Sequence, residues 1–143
     1  MAENSAPDSK ENAYAQLRYL QSVYSQQYEL LEEQIATYSI SLDSVRKGVQ
    51  FLDGTREASK SKTLVSLGGG AYAEASFPDI KSVLVYVGAG YLLEKGVDSA
   101  KSYIDEGRKK QEEMLRKLDT ERRKLQGELI NIAYKMEAMQ QQV

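Results

Sequence analysis

From Tyr14 to Leu52 apolar residues recur at alternating spacings of three and four. One set is Leu17, Tyr24, Leu31, Tyr38, Val45 and Leu52; the other is Tyr14, Gln21, Tyr28, Ile35, Leu42 and Val49. Only Gln21 departs from the apolar character of the two sets, and no proline interrupts them. This seven-residue period is that of a coiled-coil helix. Gly54 follows the last seam residue and supplies a stop. A second repeat starts at Val97 and runs to the end of the chain. Its sets are Val97, Ile104, Gln111, Leu118, Leu125, Ile132 and Met139, and Lys101, Arg108, Leu115, Arg122, Leu129, Met136 and Val143. Lys101, Arg108 and Arg122 break this second seam.

Between the repeats the period changes. TLVSL, AYAEASF, SVLVYV and YLLE are short, partly alternating runs separated by Gly68-Gly69-Gly70, Pro78-Asp79 and Gly88-Ala89-Gly90. Short runs split by glycine predict two consecutive β-hairpins, because Gly68, Gly69, Gly70, Gly88 and Gly90 can take the positive φ that tight turns require. The expected layout is a single α+β domain over 1–143: a flexible leader over 1–9, a helix over 10–54, hairpins over 62–95 and a helix over 97–143. Asp8 with Glu11 is a candidate cap for the first helix. Each helix would be about 60 Å long. Equal lengths and facing seams predict an antiparallel two-helix coiled coil with the hairpins inserted between the helices. One register pairs Tyr14 with Met139, Leu17 with Met136 and Val49 with Ile104. It sets Gly48 and Gly107 at nearly the same level, where they would permit close approach or bending.

Two surfaces of this layout lack cover. Two hairpins hide little apolar area and leave open edges, so Leu64, Val65, Leu67, Tyr72, Phe77, Val83, Val85, Val87, Tyr91 and Leu93 are expected at an oligomer interface. At the free helix ends Tyr14, Leu17, Tyr19, Leu20 and Val23 approach Ile132, Tyr134, Met136, Met139 and Val143. These are the candidate substrate-binding residues. Seam packing is the simpler role for Tyr14, Leu17, Met136 and Met139, and Tyr19, Leu20, Val23 and Tyr134 beside the seam are the better contacts.

Composition narrows the chemistry. The chain has neither cysteine nor histidine, which removes disulfides, thiolate nucleophiles and thiolate or imidazole metal sites. Charged residues make up 28% of the chain, with a net charge of −2. In the second helix they form acid-before-base pairs four apart: Asp105/Lys109, Glu106/Lys110, Glu112/Arg116, Glu113/Lys117 and Asp119/Arg123. That is the arrangement of a solvated helix face. Lys109-Lys110, Lys117 and Arg122-Arg123-Lys124 are interleaved with acids, which argues against nucleic acid as a partner. No apolar run is long enough to span a membrane. Gly88-Ala89-Gly90 has neither the Walker lysine nor a third glycine at dinucleotide spacing, and a strand-like run follows it, so no phosphate loop is expected. No carboxylate pair marks a catalytic pocket. The expectation is no enzyme, no metal and no cofactor.

A long heptad helix, TLVSLGGGAYAEASF, VLVYVGAGYLLEKG and a second heptad helix together resemble the alpha class of the prefoldin family across nearly the whole chain. VGAGYLLEK running directly into a helix is the most specific part. Gly96-Val97-Asp98 departs from the family's usual helix start, and glycine can serve there as a cap. The resemblance implies an ATP-independent holding chaperone in the cytoplasm. It implies hexamers of two alpha and four beta subunits, hairpins joined into a β-barrel platform, and coil tips that capture unfolded client polypeptides for a group II chaperonin. The competing reading is a structural spacer or adaptor for one folded partner, which has no need of the hairpins.

Overall fold

The computed structural model describes residues 6–55 and 60–141. In chain order it contains α1 (Ala6–Asp53), β1 (Thr63–Gly68), β2 (Ala71–Ala75), β3 (Ser82–Gly88), β4 (Tyr91–Gly96) and α2 (Val97–Gln140). The α+β arrangement of two long helices flanking two hairpins in sequence is therefore present. α1 starts earlier than the pattern suggested, taking in four residues assigned to the leader. Pro7 falls in its first turn, where a missing N–H breaks no helical bond and the fixed φ suits a helix. Asp8 thus lies inside the helix rather than at its cap. At the other end, Gly54 N donates to the carbonyls of Gln50 and Phe51 at 3.2 and 3.0 Å, closing the last turn.

The chain divides into two compact units. One comprises Ile40–Glu112, and the other Met1–Ser39 with Glu113–Val143. In the first unit both hairpins are antiparallel, and each forms its own two-stranded sheet rather than sharing one. β1 pairs with β2 from Thr63↔Ala75 to Gly68↔Ala71, and β3 with β4 from Ser82↔Gly96 to Gly88↔Tyr91. Each register slips once beside the turn, between Ser66 and Gly68 and between Tyr86 and Gly88. Positions in the second hairpin thus repeat those of the first twenty residues later. TLVSLGGGAYAEA and VLVYVGAGYLLEK share Leu64/Leu84, Val65/Val85, Gly68/Gly88, Gly70/Gly90 and Glu74/Glu94. The pattern of runs alone had not revealed this repeat. The turns are built alike as well: φ is 61° and 80° at Gly69 and Gly70, and 51° and 81° at Ala89 and Gly90. Two successive positive φ values match a type I′ hairpin turn. Ala89 holds one of them without being glycine.

The core of this unit is small. Val85, Leu52 and Ala100 are buried together, with Val83, Val97 and Ile104 against them. Ala100 has no exposure at all. Beside this core lies a hollow of about 670 Å³ lined by Gly48, Gly107, Phe51 and Tyr86 among others. A Cβ added at either glycine would meet nothing within 4 Å. Close helix approach is therefore not what these glycines provide.

In the second unit α1 and α2 run antiparallel, since Tyr14 bonds Gln140 and Glu32 bonds Arg122. Tyr14 thus sits one position from its expected partner Met139. Leu118 and Ile132 are the seam residues most fully buried there.

Candidate functional site

Strand pairing sorts the hairpin side chains into two faces. Leu84, Tyr86, Leu92 and Glu94 share one face of the second hairpin, and Leu64, Ser66, Tyr72 and Glu74 the corresponding face of the first. Leu64, Tyr72, Leu84, Tyr86 and Leu92 are all exposed, as are Leu67, Val87, Tyr91 and Leu93. A polar contact marks each face: Lys62 meets Glu74 at 3.5 Å, and Ser82 Oγ donates to Glu94 at 2.8 Å. The Tyr86 hydroxyl accepts from Gly90 N at 3.2 Å, tying the ring to its own turn.

Of the expected interface residues, Leu64, Leu67, Tyr72, Val87, Tyr91 and Leu93 are available. Val65, Phe77, Val83 and Val85 are not free in the same way. Val85, at 8% exposure, and Val83 pack into the chain's own core. Phe77 stands edge-on to Phe51 with ring centres 5.6 Å apart. Val65 is half-buried. Leu84, Tyr86 and Leu92, part of the apolar excess that the sequence places in the second hairpin, are exposed as well.

The second candidate surface is the end of the helix pair. Gln140 Nε2 donates to the Tyr14 hydroxyl at 2.8 Å. Tyr14, Leu17, Val23, Met136 and Met139 are half-buried. Ile132 is only 5% exposed, so it is a packing residue and offers no contact surface unless the helices part. Tyr19 and Tyr134 stand out, 70% and 68% exposed, with Leu20 and Ile130 also open. Ile130 had not been singled out. Val143 lies outside the described residues.

The three cations that break the α2 seam all find carboxylates. Lys101 pairs with Asp53. Arg108 Nε donates to Asp105 at 2.7 Å and its Nη1 to Glu112 at 3.0 Å, while Arg46 reaches the same Glu112 at 3.1 Å. Arg122 bridges Glu32 and Asp119. Glu112 is accordingly turned to Arg108 and Arg46, and not to the Arg116 that the spacing suggested. Asp105–Lys109, Glu113–Lys117 and Asp119–Arg123 do close within 4 Å. The Arg108 guanidinium holds the Asp105 carboxyl below its usual range, and Arg46 with Arg108 does the same to Glu112. Lys101 is raised by Asp53, and the Tyr28 hydroxyl by its hydrogen bond to Glu32. Each of these shifts comes from a partner within the chain.

Gly88-Ala89-Gly90 turns directly into β4 and opens no helix. Among the described residues no group of three or more acidic side chains is placed to hold a metal, and no helix is long and apolar enough to cross a membrane.

A family model of prefoldin subunits matches residues 23–142. This chain belongs to the prefoldin family. It is 27% identical over 143 residues to prefoldin subunit alpha of Methanocorpusculum labreanum, covering 99% of this chain and 97% of that one. Prefoldin subunit alpha of Pyrococcus horikoshii is 24% identical over 127 residues, 87% of this chain and 86% of its own. That of Methanococcoides burtonii is 32% identical over 96 residues, 66% of each. Among solved structures, filamentous PFD from Methanocaldococcus jannaschii shares the fold with a TM-score of 0.52 and 22% identity, over 88% of this chain and 99% of that one. Prefoldin membership supports a role as a chaperone subunit, and prefoldin subunits form oligomers with one another.

Proposed function

We propose that this chain is the alpha subunit of a hetero-oligomeric prefoldin of two alpha and four beta subunits. It acts without catalysis or ATP, in the cytoplasm. Its hairpins join those of other subunits in a β-barrel platform. The ends of its helices hold non-native polypeptides and pass them to a group II chaperonin. One observation carries the assembly part: both hairpins present an exposed apolar face and unpaired strand edges, an arrangement that invites pairing with another chain. The exposed tyrosines Tyr19 and Tyr134 support the capture part, since broad hydrophobic contact makes low geometric demands on a client.

The test is native mass spectrometry after mixing with a prefoldin beta subunit, together with light scattering of an unfolded client diluted into the mixture. A stable two-to-four complex that suppresses scattering without nucleotide is expected. Absence of any mixed complex refutes the assembly, and undiminished scattering in its presence refutes the capture. A long homopolymer of the chain alone would favour a second reading, self-assembly as in the filamentous PFD it resembles. That reading rests on the two hairpins, which give one chain two similar exposed faces.

A further inference from the structure

The two flanks of the helix pair in the Met1–Ser39 and Glu113–Val143 unit differ. On one flank Arg122 reaches from the seam to Glu32 and Asp119, and Arg123 adds a 3.1 Å bond to Asp119. Those groups spend their charge on each other. The other flank is an open groove of about 520 Å³ with Tyr24, Leu31 and Leu125 on its floor. Leu30 lies at its edge, 59% exposed. Gln27, Gln34, Glu121, Lys124 and Glu128 form its rim. Among the described residues, Glu121, Lys124 and Glu128 take part in no ion pair, unlike the charges of the opposite flank. The rim is thus net acidic, over an apolar floor. Glu121 and Glu128 are one heptad apart on α2, about 10 Å along the axis.

We propose that this groove binds client segments in which an apolar side chain is flanked by lysine or arginine. This rests on the client-holding role proposed above and specifies which segments are held beside the tips. The apolar side chain covers Leu30 and the floor, and the basic groups meet Glu121 and Glu128, which form no ion pair among the described residues and outnumber Lys124 on the rim. A segment with acidic flanks would bring like charges to the same rim. An exposed ion pair is a weak contact, so the preference comes from two of them acting together and is sensitive to salt.

Two fluorescein-labelled dodecapeptides with one apolar centre, flanked by lysines or by glutamates, serve as probes in anisotropy titrations of the full-length chain. At low salt the lysine-flanked peptide is expected to bind about ten-fold tighter, roughly three-fold from each carboxylate. The ratio should approach one at high salt. The double variant Glu121→Gln/Glu128→Gln should lower it to about two-fold or less with unchanged helical circular dichroism, while Glu29→Gln, away from the groove, should leave it intact. Leu30→Ser should weaken both peptides alike. A ratio that survives the double variant overturns the proposal, and so does equal binding of the two peptides by the unaltered chain. If the chain binds neither peptide yet its assembly suppresses aggregation, the groove proposal alone fails; if suppression is absent too, the client-holding role fails with it.

Discussion

Replacing Tyr19 and Tyr134 by serine should separate client holding from folding. Both rings are about 70% exposed, so neither supports the seam, and surface changes of this kind shift stability by no more than about 0.5 kcal/mol. Each tyrosine leaves on the order of 140 Å² open, taking about 200 Å² for the whole side chain. If a client covers half of that, about 70 Å² per ring is removed from water, a gain near 1.8 kcal/mol at about 25 cal/mol/Å². Ordering the client segment offsets part of this, leaving about 1 kcal/mol per ring. The double variant should therefore hold an unfolded client roughly thirty-fold more weakly. Ile132→Ala gives the opposite result. At 5% exposure it leaves a hole in the seam, with a loss of about 3 kcal/mol. For a chain of this size that lowers Tm by roughly 9 °C. The assays are thermal unfolding by circular dichroism and client titration by light scattering, with the chain mixed with a prefoldin beta subunit. Wild-type suppression by the double serine variant would refute the role of the exposed rings. Lost suppression by Ile132→Ala below its own Tm would show that the buried seam, once parted, is the true contact.

Gly48→Ala and Gly107→Ala should each stabilise the isolated chain by about 1 kcal/mol, because both are helical and neither Cβ meets an atom within 4 Å; a lower Tm would show that something enters the hollow beside them. Tyr86→Ser/Leu92→Ser should abolish mixing with a beta subunit in native mass spectra while the free chain melts unchanged, since both side chains are exposed; an intact complex would place the interface elsewhere. The depressed carboxyls of Asp105 and Glu112 stabilise the fold above the usual carboxylate pKa of about 4, and that contribution is lost as pH falls through their lower folded values. Tm should thus drop from pH 5 towards pH 3, and less steeply in Asp105→Asn/Glu112→Gln. Lys101 and Tyr28 are raised, so their contribution persists through neutrality and fades only in alkali, above about pH 10; a neutral-range transition would contradict both assignments.

What could be read from the sequence follows from which rules were local. The helices and turns were legible because heptad spacing and glycine act within a few residues. The start of α1 was not, because Pro7 reads as a break unless one knows that it sits in the first turn. The second seam looked faulty at Lys101, Arg108 and Arg122 because spacing along one helix cannot reveal a carboxylate on the other. Asp53 and Glu32 answer two of these cations from α1. Ile132 was misjudged for a related reason: nearness to a helix end says nothing about depth in the seam.

The hairpin faces were the hardest to assign, and the difficulty is itself informative. SVLVYV is apolar at every position after its serine, so a period of two cannot tell inside from outside. Pairing resolves it: Val83 and Val85 turn to Leu52 and Ala100, while Leu84 and Tyr86 turn away. A strand apolar on both faces belongs to a sheet covered on both sides. β3 has cover on only one side within this chain, and its sheet stops at two strands. β1, twenty residues earlier, carries serine where β3 has Tyr86, and β2 has Ala73 where β4 has Leu93. The second hairpin is therefore the more apolar of two similar pieces, with more to bury against a neighbour. Its loss should damage assembly more than loss of the first.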